Sequence, residues 1–302
     1  MDLALAKARA FVGATSPNPP VGAVALSESG AVLAIEAHEK AGTLHAEAKV
    51  IENLKSLKIL EKAHTLYVTL EPCNHTGRTP PCTEAILASG FKHVVYGAKD
   101  PNPRVAGSGA EYLQSKGIQV SFLSERAEEC ARLIAPFSKW VKTGVPFVVV
   151  KTAHQASGSM IPPKGQKTFT SQESLKFVHG LRKQSDAIMS ASGTILSDIP
   201  EFTVRHVPDF KDKRRWLVIF DRRDRVPDEY LEMASSLGFQ VKMGQSIEEE
   251  LRFLGSQGVH QVLVEACATF SNAVIQGGFA DEHIQIHQKE NGPDVIEILS
   301  TR

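Results

Sequence analysis

The sequence predicts an α/β protein in two domains, and three observations carry that expectation. Short apolar runs alternate with helical stretches along the whole chain, the signature of layered sheets. The chain has 302 residues, about two domains at roughly 150 residues each. A Gly-Pro break, Thr143-Gly144-Val145-Pro146, interrupts the pattern midway. The domains are therefore placed at 1–144 and 145–302. Hydrophobic residues make up 42% and charged ones 23%, which is ordinary globular usage and excludes a disordered, coiled-coil or collagen-like chain.

In the first half, Leu3, Leu5, Ala8 and Phe11 or Val12 give one face of an opening helix. VGAVAL (21–26) and AVLAIEA (31–37) read as strands around a Ser27-Glu28-Ser29-Gly30 turn, a hairpin. Residues 46–57 are helical in pattern, TLYVTL (65–70) is a buried strand, and Thr83 to Ala88 starts another helix. HVVYGA (93–98) and IQVSFL (118–123) are strands separated by a helix from Ala110 to Lys116. Ala127 to Val141 reads as one helical stretch.

The second half repeats the rhythm. FVVVK (147–151), DAIMSAS (186–192), WLVIF (216–220) and QVLVEA (261–266) read as strands. Helices are expected over 171–183, 228–237, 246–257 and 268–276, with two short strands to close. There is no tandem repeat.

Lys plus Arg and Asp plus Glu are 34 each, so the net charge is zero. A dedicated nucleic-acid binder usually carries a basic excess. No apolar run reaches the roughly 18 residues of a membrane span. The start, MDLALAKARAF, lacks the basic lead and long apolar core of a signal peptide. A soluble cytoplasmic protein is the expectation. Four cysteines are too few for a disulfide scaffold. Cys130 and Cys267 stand alone and read as small buried apolar residues.

Cys73 and Cys82 read differently, because His45-Ala46-Glu47 precedes them. One His and two Cys make a three-ligand zinc site with an open fourth position, the catalytic arrangement. Both cysteines are expected near a helix start, where the dipole favours thiolate. Glu47 is too close to His45 to be a comfortable fourth ligand and is placed to carry protons to and from bound water. His-x-Glu followed by Pro-Cys and a second Cys is the signature of zinc deaminases. Zinc makes its water acidic. The resulting nucleophile attacks an amino-bearing ring carbon, and Glu47 serves as base and then acid. The competing reading is a core His with two buried cysteines.

Longer segments carry a resemblance. Ser16-Pro17-Asn18-Pro19-Pro20-Val21-Gly22, His45-Ala46-Glu47, the run from Thr69-Leu70-Glu71-Pro72-Cys73 through Gly77-Arg78-Thr79-Pro80-Pro81-Cys82, and Asp100-Pro101-Asn102-Pro103 resemble the bifunctional deaminase–reductases of riboflavin biosynthesis. The resemblance implies a cytidine-deaminase-like three-layer domain followed by a dihydrofolate-reductase-like α/β domain. It implies zinc on His45, Cys73 and Cys82, with Glu47 as proton shuttle. Asn18, His38, Arg78, Asp100 and Asn102 would line the pocket of a phosphorylated pyrimidine. Asn can bond a heterocycle edge as donor and acceptor, and Arg can clamp a phosphate.

In the second half the resemblance rests on Pro146-Phe147-Val148-Val149-Val150-Lys151, Arg182, Ser185-Asp186-Ala187-Ile188, Gly193-Thr194-Ile195-Leu196-Ser197-Asp198 and Val264-Glu265-Ala266. It implies NADPH as cofactor. Lys151, Gln166, Arg182, Phe202, Arg205 and Glu265 would face the substrate. His154, Thr168, Thr194, Asp198, Ala266 and Cys267 would face the cofactor, whose phosphate the helix start after Ala266 could hold. The sequence also departs from the family. Gln155-Ala156-Ser157-Gly158 lacks the family's acid, Thr168 stands where the family has Trp, and Ala266-Cys267 replaces a glycine-containing pair. The connection from Asp281-Glu282-His283 to Gly292-Pro293-Asp294 is short, leaving the domain shortened near the C-terminus. The second domain is thus either a working reductase or a domain keeping fold and assembly with little activity. A base deaminase of RNA is a third reading, against which the zero charge speaks. A homo-oligomer is implied by resemblance.

Overall fold

A computed structural model describes residues 1–75, 80–102, 108–161, 168–289 and 292–301. The chain divides into two compact units, Met1–Thr143 and Gly144–Arg302.

Unit 1 is a mixed five-stranded sheet. Strands β1 (Gly22–Ser27) and β2 (Val32–Ala37) form the antiparallel hairpin, and β3 (Ala63–Val68) lies antiparallel to β1. Strands β4 (His93–Tyr96) and β5 (Gln119–Phe122) continue parallel to β3, giving the order β2-β1-β3-β4-β5. Ala23, Ala25, Leu66 and Val68 alternate onto one core with Val50, Ile51 and Leu54, the period of two a sheet requires. Those last three belong to helix α2 (Ala46–Ser56). Helix α1 (Asp2–Arg9) packs so closely on β1 that a Cβ at Gly22 would lie 2.0 Å from the Ala4 carbonyl oxygen. Only glycine fits that approach. Helices α3 (Cys82–Ser89) and α4 (Ser108–Ser115) follow in order. The expected single helix after residue 127 is two, α5 (Ala127–Leu133) and α6 (Ala135–Thr143). Pro136, with no amide hydrogen, ends the first and starts the second.

Among the described residues, unit 2 forms a seven-stranded sheet in the order β12-β11-β6-β10-β7-β8-β9. These are β6 (Phe147–His154), β7 (Ala187–Ala191), β8 (Arg215–Phe220), β9 (Phe239–Gly244), β10 (Gln261–Glu265), β11 (Glu282–His287) and β12 (Val295–Ser300). All pairs are parallel except β11–β12. The central strands read as unbroken apolar runs because both faces are covered. Val148, Val150, Val262 and Val264 enter one core, while Val149 and Leu263 enter another with Leu181.

The helices are α7 (Gln172–Gln184), α8 (Ser192–Asp198), α9 (Asp228–Ser236), α10 (Ile247–Ser256) and α11 (Ala268–Gln276). Two elements of unit 2 go beyond the expectation from sequence. Helix α8 hides behind Ser-Gly, poor helix formers. Strand β9 carries only three alternating apolar residues, Phe239, Val241 and Met243, which pack on one core. Among the described residues no helix is long and apolar enough to cross a membrane.

Candidate active sites

In unit 1 the sequence-predicted groups converge. His45 is the N-cap of α2, Glu47 sits in its first turn, and Cys82 is the first residue of α3. Cys73 lies in the connection after β3 rather than at a helix start, but α3 still reaches it. The Cys82 amide donates to the Cys73 Sγ at 3.4 Å. His45 Nδ1 lies 3.2 Å from Cys82 Sγ and 3.7 Å from Cys73 Sγ. All the ligand atoms of these residues fall within 4.8 Å of one another. Hydrogen bonds, first from Cys82, hold the Cys73 thiol down at about 4. That is thiolate, the form a metal takes. Two soft sulfurs and an imidazole in so small a volume fit zinc.

Glu47 is 4% exposed. Burial, helped by the negative Cys73, pushes its carboxyl up to about 7. Around it lies a cavity of about 280 Å³ lined by Asn18, His38, His45, Glu47, Cys73, Asp100 and Asn102 among others. His38 is buried, and that burial pushes its pKa down. The neutral ring pairs through Nδ1 with the Leu44 carbonyl at 3.1 Å, while Nε2 lies 3.1 Å from the Asn18 side-chain amide. The two bonds together fix one tautomer, Nδ1 donating and Nε2 accepting. Asp100 Oδ1 accepts from the Asn102 amide at 2.8 Å. Arg78 lies outside the described residues.

Further residues join the site that the sequence motifs do not mark as functional. Glu71, 4% exposed, accepts from the Ala110 amide at 3.1 Å and the Asp100 amide at 3.5 Å. It ties the Asp100 loop to the start of α4. A Cβ at Gly109 would meet the Pro72 carbonyl oxygen at 1.9 Å, so glycine lets α4 press against the residue preceding Cys73. Phe137, Trp140 and Val141 of α6 also line the cavity. Their i, i+3, i+4 spacing is visible in the sequence, but it ordinarily marks a core face.

In unit 2, Lys151 and Glu265 are register partners on β6 and β10. Period-two alternation turns both toward the face covered by Leu181 and Phe177 of α7. From that helix Arg182 reaches Glu265 through two bonds, Nε to Oε1 at 2.6 Å and Nη2 to Oε2 at 2.9 Å. Lys151 Nζ is 3.2 Å from Oε2. Burial pushes the Glu265 carboxyl up, but the Arg182 and Lys151 charges more than offset it and hold it at about 2. Phe202, buried, lies under Arg182 with 5.8 Å from guanidinium carbon to ring centroid. The Arg205 amide donates to His179 Nδ1 at 2.8 Å, while its side chain is exposed and pairs with Glu201.

The residues that the resemblance assigns to the cofactor are less convergent. Thr194 Oγ1 accepts from the Cys267 amide at 2.8 Å, joining α8 to the start of α11. Cys267 is exposed, not a buried apolar residue. As N-cap of α11 it makes no side-chain capping bond. Ala266 is half-buried beside it, and Asp198 is exposed at the end of α8. His154 stacks on His287 with centroids 5.3 Å apart, and Thr168 bonds Thr170. Gln166 lies outside the described residues.

Sulfur and imidazole donors beside a buried carboxylate have the chemistry of a zinc-dependent aminohydrolase, and unit 2 is a mostly parallel sheet carrying the Lys151–Glu265–Arg182 cluster. Two family models match in that order. The cytidine and deoxycytidylate deaminase zinc-binding region covers residues 1–98, and the RibD C-terminal domain covers residues 146–288. The riboflavin biosynthesis protein RibD of Bacillus amyloliquefaciens is 32% identical, over 93% of this chain and 81% of that protein. That of Aquifex aeolicus is 41% identical, over 75% of this chain but 62% of that protein. An Acinetobacter baumannii RibD structure superposes with a TM-score of 0.82 at 32% identity, covering 96% of this chain and 86% of that one. The chain therefore belongs to the RibD family of riboflavin biosynthesis, bifunctional enzymes that join a zinc-binding deaminase domain to an NADPH-dependent reductase domain.

Proposed function

We propose that unit 1 hydrolytically removes an exocyclic amino group from a diaminopyrimidinone bearing a ribosylamino 5′-phosphate, and that unit 2 then reduces the ribose to a ribityl chain with NADPH. The observation that carries the first step is the buried Glu47 carboxyl beside the His45, Cys73 and Cys82 cluster. His45, Cys73 and Cys82 would hold zinc, which when bound supplies the Lewis acidity that makes water nucleophilic near neutral pH. Glu47 accepts the proton of the attacking water and returns it to the departing amine, so that water is consumed and ammonia released. His38 fixes the Asn18 amide through its ring nitrogen and leaves Asn18 Oδ1 to accept from a heterocycle N–H. Asp100, whose amide donates to Glu71, and Asn102, whose amide donates to Asp100, border the same pocket.

In unit 2, NADPH supplies the hydride. Lys151 and Arg182 share one carboxylate, so the cluster keeps a positive charge for a phosphorylated substrate. Glu265 orients both cations. Phe202 and Arg205 belong to the same wall, with Thr194, Asp198, Ala266 and Cys267 on the cofactor side.

The partners on this reading are small molecules, without nucleic acid. Its setting is the cytoplasm, where a reducing poise keeps Cys73 and Cys82 as thiols. A homo-oligomer joined through unit 2 is testable by light scattering. For the reaction, zinc-loaded protein is incubated with substrate and NADPH and followed by mass spectrometry. Exchange of amine for carbonyl with gain of two hydrogens is expected. Exchange alone would leave unit 2 without its proposed role, and no exchange would overturn the reading.

A further inference from the structure

Helix α6 carries large apolar side chains that the core does not take. Phe137, Trp140 and Val141 occupy one face at i, i+3 and i+4, yet no residue of the helix is fully buried. The Phe137 and Trp140 rings lie 6.3 Å apart at 38°, and all three residues line the cavity that His45, Glu47 and Cys73 also line. The helix also lies beyond residues 1–98, where the general deaminase zinc-binding model matches. Glu47, which lines the same cavity, is 4% exposed, whereas Trp140 is only half-buried. A reacting ring must reach Glu47 and the ligand cluster, so the substituent on that ring is directed toward the more open part of the pocket.

We propose that Trp140, supported by Phe137, is a specificity-determining residue of unit 1. It covers the C–H face of the sugar on the pyrimidine and selects sugar-bearing substrates over the bare base. This deepens the deaminase reading and rests on it. An indole is suited to the task. It offers a broad apolar face at low entropic cost and packs against sugar carbons while its edge meets water. Excluding water from the mouth also strengthens every polar interaction beneath it.

The test uses the zinc-loaded full chain. Trp140→Ala is expected to raise KM for the ribosylamino substrate about tenfold, or ~1.4 kcal/mol, with kcat within about threefold. Zinc content and NADPH-dependent reduction of the deaminated intermediate stay unchanged, and Trp140→Phe recovers most of the loss. Competitive inhibition by the bare diaminopyrimidinone is expected to be the same in Trp140→Ala and wild type.

A second readout uses the fact that the chain has two tryptophans. In Trp216→Phe combined with Glu47→Gln, the emission of Trp140 should shift saturably as substrate fills the pocket. Unchanged KM in Trp140→Ala, equal weakening of the bare base, or emission indifferent to substrate would overturn the proposal. A wild-type protein that does not deaminate would instead sink the deaminase reading itself.

Discussion

Glu47 and Glu265 are almost equally buried, at 4% and 5% exposure, and their carboxyls lie at opposite ends of the scale. Glu47 is pushed up to about 7 by burial beside a thiolate, and Glu265 is held at about 2 by two cations. Burial raises both, so partners decide the outcome. A carboxyl near neutrality can take and return a proton. One held at about 2 cannot, and is suited to be a fixed anion paired with Lys151 and Arg182. On the proposed function, the two units would use one residue type for different tasks.

The largest effect is expected of Glu47→Gln. It is expected to keep zinc, measured by metal analysis, and to lose deamination by about 10³-fold, within the range of general acid–base catalysis. Reduction of supplied intermediate should be untouched. Retained turnover would remove Glu47 from proton transfer. Next in size, Lys151→Ala is expected to slow NADPH oxidation by about 10²-fold, the scale of removing one charge-assisted hydrogen bond, and to leave deamination intact. An equal fall in both would mean that the units do not divide the labour.

Acid sharpens the contrast through stability. Glu265 has a depressed pKa, so its stabilisation is complete above its unfolded value of 4.5 and is lost as pH falls toward 2. Burial pushes His260 down to about 4 from 6.5. Folded His260 therefore stays neutral while the unfolded chain takes up a proton, and stability falls between pH 6.5 and 4. This effect alone amounts to about 3 kcal/mol by pH 4. Urea melts should show unit 2 weakening through this window before Glu265 contributes. Constant stability from pH 7 to 4 would contradict the burial of His260. The smallest effect is expected of Cys267→Gly. Because Cys267 is exposed, KM for NADPH should change less than about twofold, on the scale of surface substitutions. A large drop would mean that its side chain crowds the cofactor.

How far the sequence reveals each unit follows from the rarity of the residues involved. His45-x-Glu47 with Cys73 and Cys82 is a set with few uses, and the fold brings all four together. The groups that brace the pocket are less visible, because Glu71 lies in the same run as Cys73 and is masked by it. The α6 wall has a pattern shared with ordinary core helices, and only its lack of full burial distinguishes it. In unit 2, Lys151 and Glu265 are common residues on separate strands. Their meeting depends on β10 inserting beside β6, a long-range pairing no local pattern encodes. The central strands are legible as apolar runs. Helix α8 is not, because Ser192 and Gly193 disguise its start.

The most direct measurement follows product mass for wild type, Glu47→Gln and Lys151→Ala side by side, each zinc-loaded and supplied with substrate and NADPH. Wild type should show amine-to-carbonyl exchange with two hydrogens gained. Lys151→Ala should stop after exchange, and Glu47→Gln should leave the substrate unchanged while still reducing added intermediate. Exchange in Glu47→Gln, or hydrogen gain in Lys151→Ala equal to wild type, would contradict the assignment of a proton carrier to one unit and a fixed anion with its cations to the other.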